Sequence, residues 1–315
     1  MPDRSDFRGP PPSYQASQSS WHSGQAETAP PPYHNWQELV PDTATLPPPP
    51  VTGYYASNAG NASTDDAERA HDFCDRVPLY LPEKPPTAAY SCVQRHDLRP
   101  VQPQEFYGNL GTTRPGYWNG STRDRNGDCI IITSLPLYFA FEDSPYVTEV
   151  RKAVYFEVKL LGLRAGPGTG SADASGFSIG FVAQPYPTWR SPGWERGSLG
   201  VFSDDGCRFV NDSWGGKEFT TGFHVGETVG LGLNISLPDS MNTALGMRKR
   251  VCRVEVFFTR NGQRAGAWDL HEEVDQEAGG VEGLEGDYDL YGAIGLFGGV
   301  NFEACFDPAG WLWKP

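Results

Sequence analysis

The sequence predicts an all-β domain, an antiparallel sandwich of two sheets, preceded by a proline-rich tail. From about residue 128, short apolar runs alternate with Gly, Asn and Asp turns, which is typical of the short strands in a sandwich. Val154–Val158 alternates with a period of two, as expected for a strand with one buried face. Asn261-Gly262 separates two further runs and predicts a hairpin, because a type I′ turn requires two residues with positive φ.

Ten strands follow from this pattern, and each apolar run is bounded by turn residues. No segment has a convincing amphipathic helix period, which favours two packed sheets over a mixed fold. The predicted strands, in chain order, are Cys129–Thr133, Leu137–Phe141, Ala153–Leu161, Gly176–Val182, Ser198–Phe202, Thr228–Asn234, Arg253–Thr259, Arg264–Asp269, Tyr291–Leu296 and Val300–Cys305.

The placement of proline divides the chain into three parts. Eighteen of the 28 prolines precede residue 104. Residues 1–70 are rich in Pro, Ser, Ala, Gln and Asp without apolar periodicity, so we expect them to be disordered. Residues 71–127 carry single aromatics between prolines and are predicted to form an extended arm that packs on the domain. The sandwich, with a C-terminal extension, is assigned to residues 128–315.

The charge balance excludes several classes of partner. The chain has 25 Lys+Arg against 39 Asp+Glu, a net charge of −14, whereas a general nucleic-acid binder needs a basic face. The longest apolar stretch, residues 129–141, is shorter than the about 20 residues that span a bilayer. No apolar leader follows Met1, so we expect a cytoplasmic protein with reduced thiols.

No constellation typical of catalysis or metal binding stands out. The histidines lack the HExxH spacing, and there is no Gly-x-Ser-x-Gly elbow. Asp204, Asp205 and Asp212 lack the pattern of an EF-hand loop, and a turn built on Asp-Asp-Gly is the favoured interpretation. Adjacent acids on a strand face opposite ways, which argues against a glycosidase pair. We therefore predict a protein without enzyme activity, cofactor or metal.

Six motifs follow one another in a fixed order along the predicted sandwich. They are Val154–Lys159, Phe177–Phe181, Pro192–Val201 with Ser203–Gly206, Val225–Leu233, Val256–Gly262 and Tyr291–Phe297. In this order they resemble the SPRY domain family. The Pro-Gly-Trp and Asp-Asp-Gly blocks of the third motif are most similar to the subgroup of Ran-binding-protein-type and fungal ubiquitin-ligase-adaptor SPRY domains. The resemblance covers about residues 128–307 and implies a twisted, concanavalin-like sandwich that binds protein partners through its loops without catalysis.

Two motifs in the tail point to a partner independently of that resemblance. Pro11-Pro-Ser-Tyr14 and Pro30-Pro-Pro-Tyr33 both fit Pro-Pro-x-Tyr, the ligand of WW domains. Consecutive prolines favour polyproline II, so little ordering entropy remains to be lost on docking. Two motifs 19 residues apart suit tandem WW domains, whose avidity could add about 10²-fold. The residues assigned to WW recognition are Pro11, Pro12, Tyr14, Pro30, Pro31 and Tyr33.

Two further segments fit a looser pattern with a single proline. Leu135-Pro-Leu-Tyr138 lies in an apolar run and is predicted to belong to the core. Val77-Pro-Leu-Tyr80 is expected to be more exposed and is an auxiliary candidate for WW binding.

Aromatic and charged residues in loop-like stretches are the candidates for binding a second protein. Aromatic residues and Arg anchor interfaces, although the same aromatics could instead close the ends of the sandwich. The cargo-binding set is Tyr186, Trp189, Arg190, Trp194, Asp204, Asp205, Arg208 and Trp214.

These observations together predict a non-enzymatic adaptor. The tail motifs would hold a WW-domain HECT-type ubiquitin ligase and the sandwich loops a cargo protein, so that cargo lysines are concentrated near the ligase. The resemblance to fungal adaptors implies recruitment to endosomal or vacuolar membranes, although those adaptors carry a membrane span and none is expected here. A scaffold subunit of a multi-protein ligase assembly, and a carbohydrate-binding or hydrolysing sandwich, remain as alternatives.

Overall fold

The architecture is seen in a computed structural model, which describes residues 63–164, 175–213, 215–238, 251–272 and 279–314. The described helices are α1 (Thr64–Arg76), α2 (Thr87–Gln94), α3 (Ala140–Asp143) and α4 (Pro145–Thr148). The described strands are β1 (Pro100–Val101), β2 (Gly108–Arg114), β3 (Tyr117–Thr122), β4 (Cys129–Thr133), β5 (Lys152–Arg164), β6 (Gly176–Val182), β7 (Ser198–Phe202), β8 (Arg208–Val210), β9 (Thr228–Ser236), β10 (Arg253–Arg260), β11 (Gln263–Asp269), β12 (Tyr291–Phe297) and β13 (Gly299–Cys305).

These strands form two antiparallel sheets that pack face to face. The six-stranded sheet has the order β1-β4-β12-β6-β7-β8, and the seven-stranded sheet has the order β11-β10-β9-β5-β13-β3-β2. The predicted all-β, two-sheet sandwich is thereby confirmed. Non-consecutive strands lie side by side at the centre of each sheet, so long-range pairing holds the sandwich together.

The core lies between the two sheets and is rich in aromatic rings. Phe156 of β5 meets Phe181 of β6 edge to face, with ring centroids 5.5 Å apart, and stacks on Phe306 at 4.9 Å. All three side chains are essentially inaccessible to solvent. Burial of each contributes about 1.5–3 kcal/mol to the stability, so this cluster is a major link between the sheets.

The predicted strands are confirmed with one exception. The hairpin between β10 and β11 has positive φ at Asn261 and Gly262, 50° and 77°, as the type I′ turn requires. The prediction of a strand at Leu137–Phe141 was wrong. In this segment Tyr138 forms an isolated bridge with Leu290, and α3 begins at Ala140. The reason is local, because the Asp143 carboxylate accepts a hydrogen bond from Phe139 N at 3.0 Å and closes a helical turn.

The region before residue 128 contains more regular structure than the sequence suggests. α1 begins at Thr64, inside the range 1–70 predicted to be disordered, because the Ser63 side chain caps it by accepting from Asp66 N at 3.1 Å. The extended arm predicted over 71–127 contains α2 and three strands, two of which, β2 and β3, complete the seven-stranded sheet. The Gly, Asn and Thr residues of β2 show no apolar alternation in the sequence, because β2 is an edge strand whose side chains are largely exposed.

Candidate protein-interaction site

Most of the predicted cargo residues lie on the loop between β6 and β7, residues 183–197, and on the neighbouring strand β8. The loop lies flat on the outer face of the six-stranded sheet because two strand glycines leave room for it. A Cβ atom on Gly180 would lie 2.6 Å from Pro192 Cβ, and a Cβ on Gly200 would lie 2.3 Å from the Pro192 carbonyl oxygen. These glycines therefore let Pro192 approach the sheet and fix the position of the loop.

Tyr186 is a buried support of this loop rather than part of its surface. Its hydroxyl donates to the Ser191 carbonyl at 2.6 Å and accepts from Glu195 N at 3.2 Å. Burial raises the pKa of the Tyr186 phenol far above its ordinary value, so the hydroxyl stays protonated. The side chain thus ties both halves of the loop together.

Arg190 is also buried, in an ion pair inside the loop. Its Nε donates to Glu195 Oε1 at 2.7 Å, and both side chains are 3% exposed. The Arg190 guanidinium also lies 4.4 Å from the centre of the Trp194 ring. Burial raises the pKa of the Glu195 carboxyl, and Arg190 opposes that rise. Removing one partner would leave a buried charge unpaired, a change that typically costs 3–5 kcal/mol.

Trp189 is half-buried, and α1 of the same chain covers it. Its indole N–H donates to the Asp66 carbonyl at 3.1 Å. The Arg69 guanidinium lies 3.8 Å from the centre of the Trp189 ring, and Phe73 meets the ring edge to face with centroids 6.0 Å apart. The aromatic surface expected to bind a partner protein at Trp189 is therefore covered by α1 of the same chain.

Three residues that the sequence analysis missed hold α1 and the segment after it in place. His71 Nε2 lies 3.7 Å from the second oxygen of Glu195. Arg196 Nε donates to the Cys74 carbonyl at 3.2 Å, and another guanidinium nitrogen donates to the Val77 carbonyl. The only signal in the sequence was the charge-rich run Trp194-Glu-Arg196, which does not reveal partners more than 100 residues away.

The remaining predicted residues are distributed unequally between surface and interior. Trp194 is half-buried and stacks on Phe202, with centroids 5.5 Å apart. Asp204 and Asp205 are exposed in the β7–β8 turn, where Asp205 accepts from Cys207 N at 2.7 Å as expected for an Asp-Gly turn.

Arg208 lies inside the sandwich edge, and one predicted aromatic is not described. The Arg208 guanidinium lies 4.8 Å from the centre of the Trp268 ring and donates to Glu272. Trp214 lies outside the described residues, as do the six residues assigned to WW recognition.

The pKa of one buried carboxyl, that of Asp128, is strongly raised. Burial raises the pKa of Asp128 to about 7, with Arg190 opposing the rise and Asp66 adding to it. One carboxylate oxygen of Asp128 is buried and has no hydrogen-bond partner among the described residues. A carboxyl that is influenced by both Asp66 of α1 and Arg190 of loop 183–197 therefore has a pKa near neutral.

The described ranges contain no group of three or more His, Cys, Asp or Glu side chains that could hold a metal ion. Within the same ranges, no helix has both the length and the apolar character needed to cross a membrane.

Comparison with known proteins supports the resemblance seen in the sequence. No protein-family model matches the chain. A SPRY domain-containing protein of Schizosaccharomyces pombe is 31% identical over 139 residues, which cover 44% of this chain and 27% of that protein. The chain thus matches about a quarter of the length of its curated relative.

Two solved SPRY structures are also similar to the chain. A crystal structure of a human SPRY domain is 20% identical with a TM-score of 0.38, and the match covers 63% of this chain and 95% of that one. The SPRY domain of human HERC1 is 11% identical with a TM-score of 0.34, covering 62% and 92%. The two-sheet fold and the S. pombe relative together support a resemblance to a SPRY domain over part of the chain.

Proposed function

We propose that this protein is a non-enzymatic adaptor that joins a WW-domain HECT-type ubiquitin ligase to a cargo protein. The observation that carries the proposal is the pair of Pro-Pro-x-Tyr motifs, ending at Tyr14 and Tyr33, in the same chain as a SPRY-like sandwich. The motifs supply the ligase contact and the sandwich supplies the cargo contact. Ubiquitin transfer to the cargo is then favoured by proximity, because tethering raises the local concentration of cargo lysines.

The contacts of α1 support the choice of loop 183–197 as the base of the cargo site. Trp189 and Arg196 of this loop hold α1. In the same loop, the buried Arg190–Glu195 pair lies against the Trp194 ring. The loop that would present Trp194 to a cargo protein is therefore held in place from two sides.

The cargo contact is proposed for the accessible part of the predicted set. Trp194, Asp204 and Asp205 reach solvent, whereas the buried Tyr186, Arg190 and Arg208 would support them from below. An aromatic anchor beside carboxylates suits a partner segment that carries both an apolar and a basic side chain. Recruitment to endosomal or vacuolar membranes is part of the proposal and would come through the cargo.

Binding of the full chain to a tandem WW fragment tests the ligase half of the proposal. We expect Tyr14→Ala and Tyr33→Ala each to weaken binding, since the avidity of the pair is lost. The double variant should bind at least about tenfold more weakly than the wild-type chain, since both full motifs are removed. Tyr55→Ala is the matched control, because Tyr55 lies in the same region outside any Pro-Pro-x-Tyr motif. Equal binding by the double variant and the wild-type chain would disprove the ligase contact.

Proximity labelling in cells separates the two halves. We expect the Tyr14→Ala/Tyr33→Ala chain to label the ligase much more weakly but to keep labelling of the cargo, and Trp194→Ala to do the reverse. If both variants lose the same set of labelled proteins, the two-site adaptor is wrong.

A further inference from the structure

The segment Val77-Pro-Leu-Tyr80 lies between α1 and α2. It fits the looser single-proline motif, and the function proposed above assigns no role to it. Tyr80 is 66% exposed, and Pro78 before it is exposed as well. Leu79 between them is buried, with 7% exposure. The segment has no regular secondary structure.

The sandwich fixes this segment at several points. Leu79 packs so closely on Gly283 that a Cβ atom there would lie 2.6 Å from Leu79 Cδ1. Tyr80 N donates to the Gln184 carbonyl at 2.7 Å, and the Val77 carbonyl accepts from Arg196. The exposed Pro78 and Tyr80 rings are therefore held on a backbone that is already ordered.

This pattern of burial matches what a WW domain requires of its ligand. The groove of a WW domain takes proline and tyrosine rings, and the residue marked x in Pro-Pro-x-Tyr is not specified. In segment 77–80 the residue at the x position, Leu79, is the one that the sandwich buries. A WW domain could therefore bind Pro78 and Tyr80 without displacing the buried Leu79. Because the backbone of the segment is already ordered, less entropy is lost on binding.

We infer that Val77-Pro-Leu-Tyr80 is a third docking site for a WW domain, formed on the folded body of the protein. The inference rests on the proposed ligase contact and extends it from the N-terminal motifs to the sandwich. Val77 replaces the first proline, so the site alone binds more weakly than a full motif. Tyr80 lies 47 positions after Tyr33, so the site adds avidity when another WW domain of the same ligase holds a motif at the N-terminus.

The surroundings of Tyr80 leave room for such a partner. Leu81 is 75% exposed, and Glu83 and Lys84 are exposed after it. By contrast, the other single-proline motif ends in Tyr138, which is completely buried. In the folded protein, a WW domain can therefore reach the tyrosine of Val77–Tyr80 but not that of Leu135–Tyr138.

The test uses the full chain with Tyr14→Ala and Tyr33→Ala, so that only the third site remains. An isotope-labelled tandem WW fragment is titrated with this variant, and its groove resonances are followed by NMR, which detects weak binding. We expect residual binding at the same resonances that a Pro-Pro-x-Tyr peptide shifts. Adding Tyr80→Ala should weaken this residual binding at least about tenfold, since one aromatic anchor is removed.

Two controls distinguish the site from a nonspecific contact. Tyr107→Ala removes a tyrosine that is 58% exposed outside any motif, and it should leave residual binding unchanged. Pro78→Ala should weaken it while keeping the Tyr80 ring, and thermal unfolding shows that each variant is folded. An equal loss on Tyr107→Ala, or no loss on Tyr80→Ala, would overturn the third site.

Failure of the inference is distinguishable from failure of the proposed function. If the wild-type chain does not bind the WW fragment, the ligase contact itself is wrong and the third site falls with it. If the wild-type chain binds but the Tyr14→Ala/Tyr33→Ala variant does not, the ligase contact stands and the third site alone is refuted.

Discussion

Two segments of this protein share the residues Pro-Leu-Tyr and use them in opposite ways. In Val77–Tyr80 the leucine is buried and the tyrosine faces solvent, whereas in Leu135–Tyr138 the tyrosine is completely buried. The Tyr138 hydroxyl donates to the Gly286 carbonyl at 2.9 Å, whereas Tyr80 is bonded to the described part of the sandwich through its backbone N–H, which donates to the Gln184 carbonyl. A short motif therefore does not by itself determine whether a partner can reach it.

The difference arises from where each segment lies relative to the two sheets. Tyr138 N and Leu137 N both donate to the Leu290 carbonyl, at 3.2 and 2.8 Å, so segment 135–138 continues the pairing just before β12 and directs Tyr138 into the core. Segment 77–80 runs over loop 183–197, outside the six-stranded sheet. In segment 77–80, Leu79 is the side chain that is buried against the sandwich, and Pro78 and Tyr80 on either side of it are exposed.

Truncation of Tyr138 and of Tyr80 to alanine should give the largest difference in the free energy of unfolding. We expect Tyr138→Ala to lower the free energy of unfolding by about 3–5 kcal/mol, as for other large aromatic residues removed from a core. Tyr80→Ala should change it by less than about 0.5 kcal/mol, since the ring makes no buried contact. Urea denaturation of the full chain measures both, and similar losses for the two variants would contradict the comparison.

Truncation of the buried leucine tests what holds segment 77–80 in place. Leu79→Ala should cost about 2–4 kcal/mol, because it leaves a cavity against Gly197 and Gly283. Hydrogen exchange at the Tyr80 amide should also become faster, since its bond to Gln184 depends on that anchor. Leu81→Ala is the matched control, as this leucine is exposed. Unchanged exchange in Leu79→Ala would mean that Arg196 alone fixes the segment.

The stability of the folded protein should also respond to pH through Asp128. The folded-state pKa of Asp128 is raised from 3.8 to about 7 by burial, so the folded protein binds this proton more tightly than the unfolded chain. Its contribution to stability is therefore present below pH 4 and is lost as the pH rises from about 4 to 7.

A pKa raised from 3.8 to about 7 corresponds to a loss on the order of 4 kcal/mol over the whole range, of which about 2–3 kcal/mol falls between pH 5 and pH 8. Comparing unfolding curves at pH 5 and pH 8 for wild type and Asp128→Asn measures it, with the exposed Asp75→Asn as the control. A pH dependence that persists unchanged in Asp128→Asn would rule out this carboxyl as the cause.

The sequence was informative wherever the signal is local. Strand alternation placed β5 and β10, Asn261-Gly262 marked the hairpin, and the apolar run around Tyr138 correctly indicated the core. These features depend on neighbours within a few residues, which a single sequence displays directly.

Features that depend on distant partners were not predictable. α1 is ordered by contacts with Trp189 and Arg196, more than 100 residues further along the chain. Tyr186 and Arg190 have the composition of an interface, but their partners Ser191 and Glu195 bury them inside one loop. Aromatic and charged residues in a Pro- and Gly-rich stretch can form either a surface or its support, and composition alone does not distinguish the two.

The smallest expected difference isolates a single hydroxyl in each segment. Tyr138→Phe keeps the buried ring but removes the bond to the Gly286 carbonyl and leaves that acceptor without this donor, so we expect a loss of about 1 kcal/mol. Tyr80→Phe should leave the free energy of unfolding unchanged, because no hydrogen bond of that hydroxyl is lost from the described structure. Denaturation of the two variants in parallel resolves the difference. Should Tyr138→Phe be as stable as wild type, the hydroxyl bond contributes nothing, and the burial of Tyr138 rests on its ring alone.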